Sequence, residues 1–118
     1  MSHHKSEHDD AYYRAGDLAK FPDIGKDKSD LWDKFMAWYG ACFEEGALSS
    51  REKALIALGV AHALQCPYCI DAYTTSALEN CSDLEEMTEA VHVASAIRGG
   101  ASLVHGVQMR GQAEKVSM

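Results

Sequence analysis

Proline is scarce, with only Pro22 and Pro67 in 118 residues, so little of the chain is barred from helix by a missing amide donor. Long apolar runs are absent too. No uncharged stretch approaches the roughly 20 residues of a membrane span, so no membrane partner is expected. The amino terminus, MSHHKSEHDD, lacks the apolar centre of a secretory signal. The expected location is therefore cytoplasmic, where the four cysteines would stand as reduced thiols. Basic residues are few, 11 against 18 acids, and scattered, giving a net charge of −7. That argues against a nucleic-acid partner, because phosphate affinity comes from clustered Lys and Arg. No alternating strand pattern occurs, which leaves an all-α class. At this length the chain is a single compact helical domain, with room for one modest core.

What is present is helical periodicity in about five to six segments. Residues 1–28 are polar and weakly patterned, an amino-terminal segment expected to be partly ordered, with Tyr12, Tyr13, Leu18 and Phe21 available to dock it. His3, His4 and His8 superficially suggest a metal tract, but a polar terminus offers no fixed geometry. The helical domain should occupy 29–112, followed by a frayed tail at 113–118. Ser29 is a suitable N-cap, and Asp30 and Asp33 complement the dipole of the first helix. Leu31, Phe35, Trp38 and Cys42 make one apolar stripe, and Trp32, Met36, Tyr39 and Phe43 a second beside it. So wide an apolar arc requires two neighbours, or one neighbour and a subunit partner. Cys42 is expected to be a buried thiol.

Ser49 and Glu52 have capping-box spacing, and the nearly uncharged run from Ala54 to Leu64 predicts a central, mostly buried helix. Pro67 fits the first turn of a helix and not its interior, so a break is expected at Gln65-Cys66 with a new helix from Pro67 to about Glu79. Ser82 and Glu85 suggest a second capping box. The following helix carries Leu84, Met87, Val91, Ala94 and Ile97 on one face, and Gly99-Gly100 should interrupt it before a last helix from Ala101 to about Gln112.

The chemistry centres on Cys66-Pro67-Tyr68-Cys69. The thiolate is the nucleophile and the metal ligand, and a helix amino terminus favours it. The spacing lets one sulfur resolve an oxidised form of the other as a disulfide. His62, four residues before Cys66, and Tyr73, four after Cys69, fall on the same side if the helices on either side of the break stay in line. His62 is then a candidate to manage a thiol proton. Tyr73 is a candidate hydrogen-bond donor to a sulfur or a peroxide oxygen. Each has a plainer reading: a core histidine bonded to a backbone carbonyl, and a packed aromatic ring. His92 and His105 lie in apolar helices, where His105 is the better candidate to face the thiols. Zinc held by His62, Cys66, Cys69 and a distant histidine would lack the second paired-ligand motif usual for structural sites. No metal or cofactor site is expected. A dithiol can also capture a soft species such as arsenite without turnover, and a structural oligomer with idle cysteines is the least active alternative.

The order Glu52-Lys53-Ala54-Leu55-Ile56-Ala57-Leu58-Gly59-Val60-Ala61, then Cys66-x-x-Cys69, then Leu84-Glu85-Glu86-Met87 and Gly99-Gly100, resembles the carboxymuconolactone decarboxylase superfamily across residues 30 to 108. The alkylhydroperoxidase D branch is the nearer likeness. The run Ala96 to Gly106 is similar to peroxidase-like proteins associated with arsenosugar biosynthesis. The resemblance implies an all-helical fold assembling as a dimer, trimer or hexamer. It also implies thiol-dependent reduction of a hydroperoxide, at the expense of an unidentified thiol or protein reductant. Cys69 would be the cysteine oxidised, and Cys66 its resolving partner. The family relay implies a glutamate twelve residues before the first cysteine and a histidine four after the second; here those positions hold Ala54 and Tyr73. Either the relay has moved, to His62, Tyr73 or His105, or the dithiol serves another purpose. The decarboxylase branch itself fits poorly, because it does not depend on a cysteine pair.

Overall fold

The computed structural model describes residues 11–117. It consists of a 3-10 helix at Ala15–Lys26 and five α-helices: α1 Ser29–Phe43, α2 Ser50–Leu64, α3 Pro67–Glu79, α4 Leu84–Leu103 and α5 Gly106–Ser117. No strand occurs among the described residues. No helix among them is long and apolar enough to cross a membrane. The histidines at 3, 4 and 8 lie outside the described residues.

α2 is the centre of the molecule, with α3 and α4 both packed along it. Its start is fixed by a complete capping box, in which Ser49 Oγ accepts the Glu52 N–H and Glu52 Oε1 accepts the Ser49 N–H. The core is small. Ala54, Leu58, Ala77 and Met87 form one buried cluster, against which Leu55 and Tyr73 pack. α4 runs parallel to α2 and is tied to it near both ends. Arg51 pairs with Glu86 at their starts, and Arg98 donates to the Ala63 carbonyl near the end of α2. Gly59 lets the two helices approach, since a Cβ there would lie 3.4 Å from the Ala90 carbonyl oxygen.

The break before Pro67 has a specific geometry. Gln65 adopts the left-handed conformation (φ 55°), Cys66 N–H donates to the Ala61 carbonyl, and Gln65 N–H donates to the His62 carbonyl. This is a Schellman ending built without glycine. Cys66, the residue just beyond it, serves at once as the N-cap of α3. The same ending recurs after α3, with Cys81 left-handed (φ 68°) and Ser82 N–H donating to the Ala77 carbonyl.

That second ending shifts a cap. The box that opens α4 is Asp83 with Glu86, not Ser82 with Glu85. Ser82 is drawn inward by its bond to Ala77, and its buried hydroxyl has no hydrogen-bond partner. Gly99-Gly100 does not interrupt α4, which continues to Leu103. Neither glycine takes a positive φ, so both are accommodated as ordinary helical residues at about 1 kcal/mol each relative to alanine. The discontinuity falls instead at Val104-His105, a turn tightened to bonds such as His105 N–H to the Ser102 carbonyl. α5 then runs through Ser117 where a frayed tail was expected: no proline follows the turn, and the helix carries Gly111 in its interior at a cost of about 1 kcal/mol relative to alanine.

Of the two stripes on α1, Trp32, Met36, Tyr39 and Phe43 face the molecule and are half-buried. Leu31, Phe35 and Trp38 point away, with Trp38 66% exposed. Cys42 lies on that outer face and is exposed, contrary to the buried thiol expected of it. The 3-10 helix packs on α1 and α3. Phe21 meets Trp32 edge-on with centroids 4.9 Å apart, and Gly25 is buried under the same indole, where a Cβ would sit 2.7 Å from ring carbons.

Candidate functional site

Cys66 and Cys69 occupy the first turn of α3, and both are free and half-buried. As the N-cap, Cys66 offers its Sγ to the Cys69 N–H at 3.3 Å. Pro67 makes this possible: it has no amide to satisfy at the first helical position, and its φ is already helical. The two thiols are thereby made unequal. The Cys66 thiol is held below its ordinary value, first by a hydrogen bond from the Cys69 thiol and then by the backbone amides of Cys69 and Tyr68, with burial opposing. Cys69 is pushed up to about 11 by burial, by donating its proton to Cys66 and by the charge that develops there. Of the two thiols Cys66 therefore gives up its proton the more readily, and Cys69 keeps its own. This acidity runs opposite to the order of attack that the resemblance implies.

The sulfurs open onto an apolar cavity of about 620 Å³. Its floor is α3, through Tyr68, Ala72 and Tyr73. One wall is α1, through Met36 and Tyr39. The 3-10 helix closes it from above with Leu18, Phe21 and Ile24, and Asp17 and Lys20 stand at the rim, paired at 3.6 Å. Tyr13 lies over Tyr68 with ring centroids 4.6 Å apart. A cavity lined by aromatic and aliphatic surface with few polar groups suits a ligand with an apolar body and one reactive end.

Tyr73 lines this cavity and stacks on Phe43 at 5.4 Å, so it is both packed and accessible to the site. His62 is placed differently. Its Nδ1 donates to the Leu58 carbonyl at 2.8 Å, no hydrogen bond joins it to either sulfur among the described residues, and it is not among the cavity's walls. The in-line arrangement needed to bring it to Cys66 is broken by the left-handed Gln65. His92 and His105 are exposed, and His105 sits at the turn between α4 and α5 and is not among the walls of the thiol cavity. Ala54, where the resemblance implies a glutamate, is only 1% exposed inside the main cluster, and Tyr73 packs on that cluster. A carboxylate there would have to be partnered to be tolerated.

Sequence reasoning missed Tyr39. Its hydroxyl is held above the usual phenol range by burial and then by the charge of Cys69 and Cys66, so it lies within the field of both sulfurs. The signal was present: in the inward stripe of α1 it is the one residue carrying a titratable proton. The 3-10 lid was also missed, because 3-10 helix has no strong sequence periodicity of its own. Among the described residues, no group of three or more His, Cys, Asp or Glu is placed to hold a metal ion.

Comparison with known proteins adds three findings. The model of a family described as "Carboxymuconolactone decarboxylase family" matches residues 30–109. A protein of Paracoccus denitrificans, described as uncharacterized protein 4 in the cox locus, is 41% identical over 73 residues, covering 62% of this chain and 66% of that protein, just under two thirds of its length. Two crystal structures share the fold at 28% identity. One is an apo carboxymuconolactone decarboxylase family protein from Legionella pneumophila, with TM-score 0.66 over 88% of this chain and 94% of that one. The other is a protein from Methanobacterium thermoautotrophicum, with TM-score 0.64 over 78% and 96%.

Proposed function

Because the chain belongs to the carboxymuconolactone decarboxylase family, whose members include alkylhydroperoxidase-like proteins, we propose that it is a thiol oxidoreductase that reduces hydroperoxides through Cys66 and Cys69. The observation that carries this reading is the unequal pair: an N-capping Cys66 sulfur that accepts from the Cys69 amide, beside a Cys69 that keeps its proton. A thiolate nucleophile next to a protonated thiol is the state a two-step reduction needs.

In the first step the Cys66 thiolate attacks the terminal oxygen of R–O–O–H. The S–O bond forms, the O–O bond breaks, Cys66 becomes a sulfenic acid, and RO⁻ departs. That alkoxide needs a proton. Tyr39 is a suited donor, because its raised pKa keeps the hydroxyl protonated next to a thiolate; Tyr73 is the second candidate. In the second step the Cys69 sulfur attacks the sulfenic sulfur, a disulfide forms, and the sulfenic oxygen leaves as water with the Cys69 proton. A small or protein dithiol then returns two electrons by thiol–disulfide exchange. This order makes Cys66 the attacking residue and Cys69 the resolving one, the reverse of the order carried over from the family.

The test is stoichiometric. One equivalent of hydroperoxide should convert the reduced protein to the Cys66–Cys69 disulfide, and Cys69→Ser should instead accumulate sulfenic acid on Cys66, trapped by dimedone and located by mass spectrometry. Equal peroxide consumption by wild type and by Cys66→Ser/Cys69→Ser overturns the reading. Stoichiometric arsenite uptake without any peroxide-driven disulfide would assign the pair to capture of a soft ligand instead.

A further inference from the structure

The walls of the thiol cavity come from two parts of the chain. The family model begins at residue 30, and the residues it covers supply the sulfurs, the floor on α3 and the wall on α1. The upper wall comes from the 3-10 helix at Ala15–Lys26, which lies wholly before that boundary. Leu18, Phe21 and Ile24 form its apolar part, and they stand three residues apart. At three residues per turn, side chains at this spacing eclipse one another, so the 3-10 winding sets them in one row along the cavity. In an α-helix the same spacing would fan them out across roughly 120°.

A 3-10 run of this length is unusual, because its hydrogen bonds have poorer geometry and runs beyond about three or four residues are uncommon. Here it extends over 12 residues and is packed at both ends. Towards its carboxy end Gly25 is buried against Trp32, and Phe21 meets the same indole edge-on. Just before its start Tyr13 lies over Tyr68, the residue between Pro67 and Cys69. Leu18 and Ile24 take part in neither aromatic contact, which leaves their side chains to the cavity. Anchored in this way the row stands at a fixed height, and the space beneath it has a fixed size.

That size bears on the ligand. A volume of about 620 Å³ lies in the range of cavities that enclose a drug-sized molecule, far more than hydrogen peroxide fills. The ions at the rim, Asp17 and Lys20, are paired with each other, so what the cavity offers the body of a ligand is chiefly apolar surface. We propose that Leu18, Phe21 and Ile24 form a specificity subsite, which selects hydroperoxides carrying a compact apolar body, branched or aromatic, over hydrogen peroxide. The assignment rests on the thiol peroxidase reading above, with the reacting end of the substrate at Cys66. The three side chains touch the substrate's body and take no part in the proton or electron steps.

The experiment compares cumene hydroperoxide with hydrogen peroxide, as the ratio of their kcat/KM values with dithiothreitol as reductant. The wild type should favour cumene hydroperoxide. A methylene gained or lost in an apolar pocket changes such a ratio by about tenfold at the low end, so Leu18→Ala/Ile24→Ala should lower it by about tenfold or more. Gly25→Ala, which displaces the segment from Trp32 and keeps every wall residue, should lower the ratio as well, alongside its shift in tryptophan emission. Preference of the wild type for hydrogen peroxide, an equal fall for both peroxides in the double variant, or an unchanged ratio in Gly25→Ala with the emission shifted would each overturn the proposal. A wild type that turns over neither peroxide defeats the peroxidase reading, and cumyl alcohol, the unreactive product of cumene hydroperoxide, then decides the subsite. It should slow iodoacetamide alkylation of Cys66, resolved by peptide mass, and do so about tenfold more weakly in the double variant. Equal slowing in the two proteins, or none in either, overturns the subsite.

Discussion

Replacing Cys69 by alanine tests the electrostatics of the pair directly. The substitution removes the thiol that contributes most to lowering Cys66, while the backbone amides of Cys69 and Tyr68 remain. A hydrogen bond to a charged acceptor contributes about 1.5–3 kcal/mol. Cys66 is partly open to solvent, so the low end applies, and about 1.4 kcal/mol is a tenfold change in ionisation equilibrium. Below its titration midpoint, the Cys66 thiolate population should therefore fall about tenfold. Its intrinsic nucleophilicity rises with basicity, with a Brønsted slope near 0.45, so the alkylation rate should fall only about threefold. Thiolate ultraviolet absorbance against pH reads the first effect, and iodoacetamide kinetics resolved by peptide mass reads the second. Cys69→Ser, which keeps a donor, should stay closer to wild type than Cys69→Ala. If Cys69 rather than Cys66 is alkylated first in the wild-type protein, or if Cys69→Ala leaves the midpoint of Cys66 unmoved, the proposed order of attack is refuted.

Further outcomes follow from the same structure. Between about pH 9 and pH 11 the reduced protein should lose stability relative to Cys66→Ser/Cys69→Ser, because the folded state raises Cys69 to about 11 and so opposes an ionisation the unfolded chain allows. Cys66 has the opposite sign: its lowered value adds stability above the unfolded thiol range, lost as pH falls through its folded value, so the double variant isolates the sum in denaturant melts. Gln65→Gly should stabilise the fold by about 1 kcal/mol, by removing a left-handed side-chain residue from the Schellman ending, measured in urea. Ser82→Ala should be neutral or stabilising, since the hydroxyl is buried without a partner, whereas Asp83→Ala should cost about 1 kcal/mol as a lost cap. Gly25→Ala should lift the 3-10 lid from Trp32, costing about 1–3 kcal/mol locally, visible as a shift in tryptophan emission. Tyr39→Phe should slow peroxide reduction and leave the thiol titration of Cys66 largely in place, separating proton donation from thiol activation.

Local signals settled much of this protein in advance. The capping box at Ser49 and Glu52, the break before Pro67 and the resulting place of Cys66 at a helix start depend on interactions within a few residues, which the residue types dictate wherever the chain folds. The thiol pair was legible for the same reason. What the sequence left open were the decisions that distant residues make. Ser82-x-x-Glu85 and Asp83-x-x-Glu86 are equally good capping patterns one step apart, and only the burial of Ser82 by the ending of α3 selects between them. Two apolar stripes on α1 look alike as periodicity, and only packing shows that the one bearing Tyr39 faces the thiols while the one bearing Trp38 and Cys42 faces out. His62 has the spacing of a site residue, yet the left-handed turn at Gln65 and the Leu58 carbonyl take it elsewhere. The site's dithiol was thus fixed by neighbours in sequence, and its proton donors and its walls by neighbours in space, because a side chain's partners across the fold depend on helix direction and rotation that no local pattern encodes.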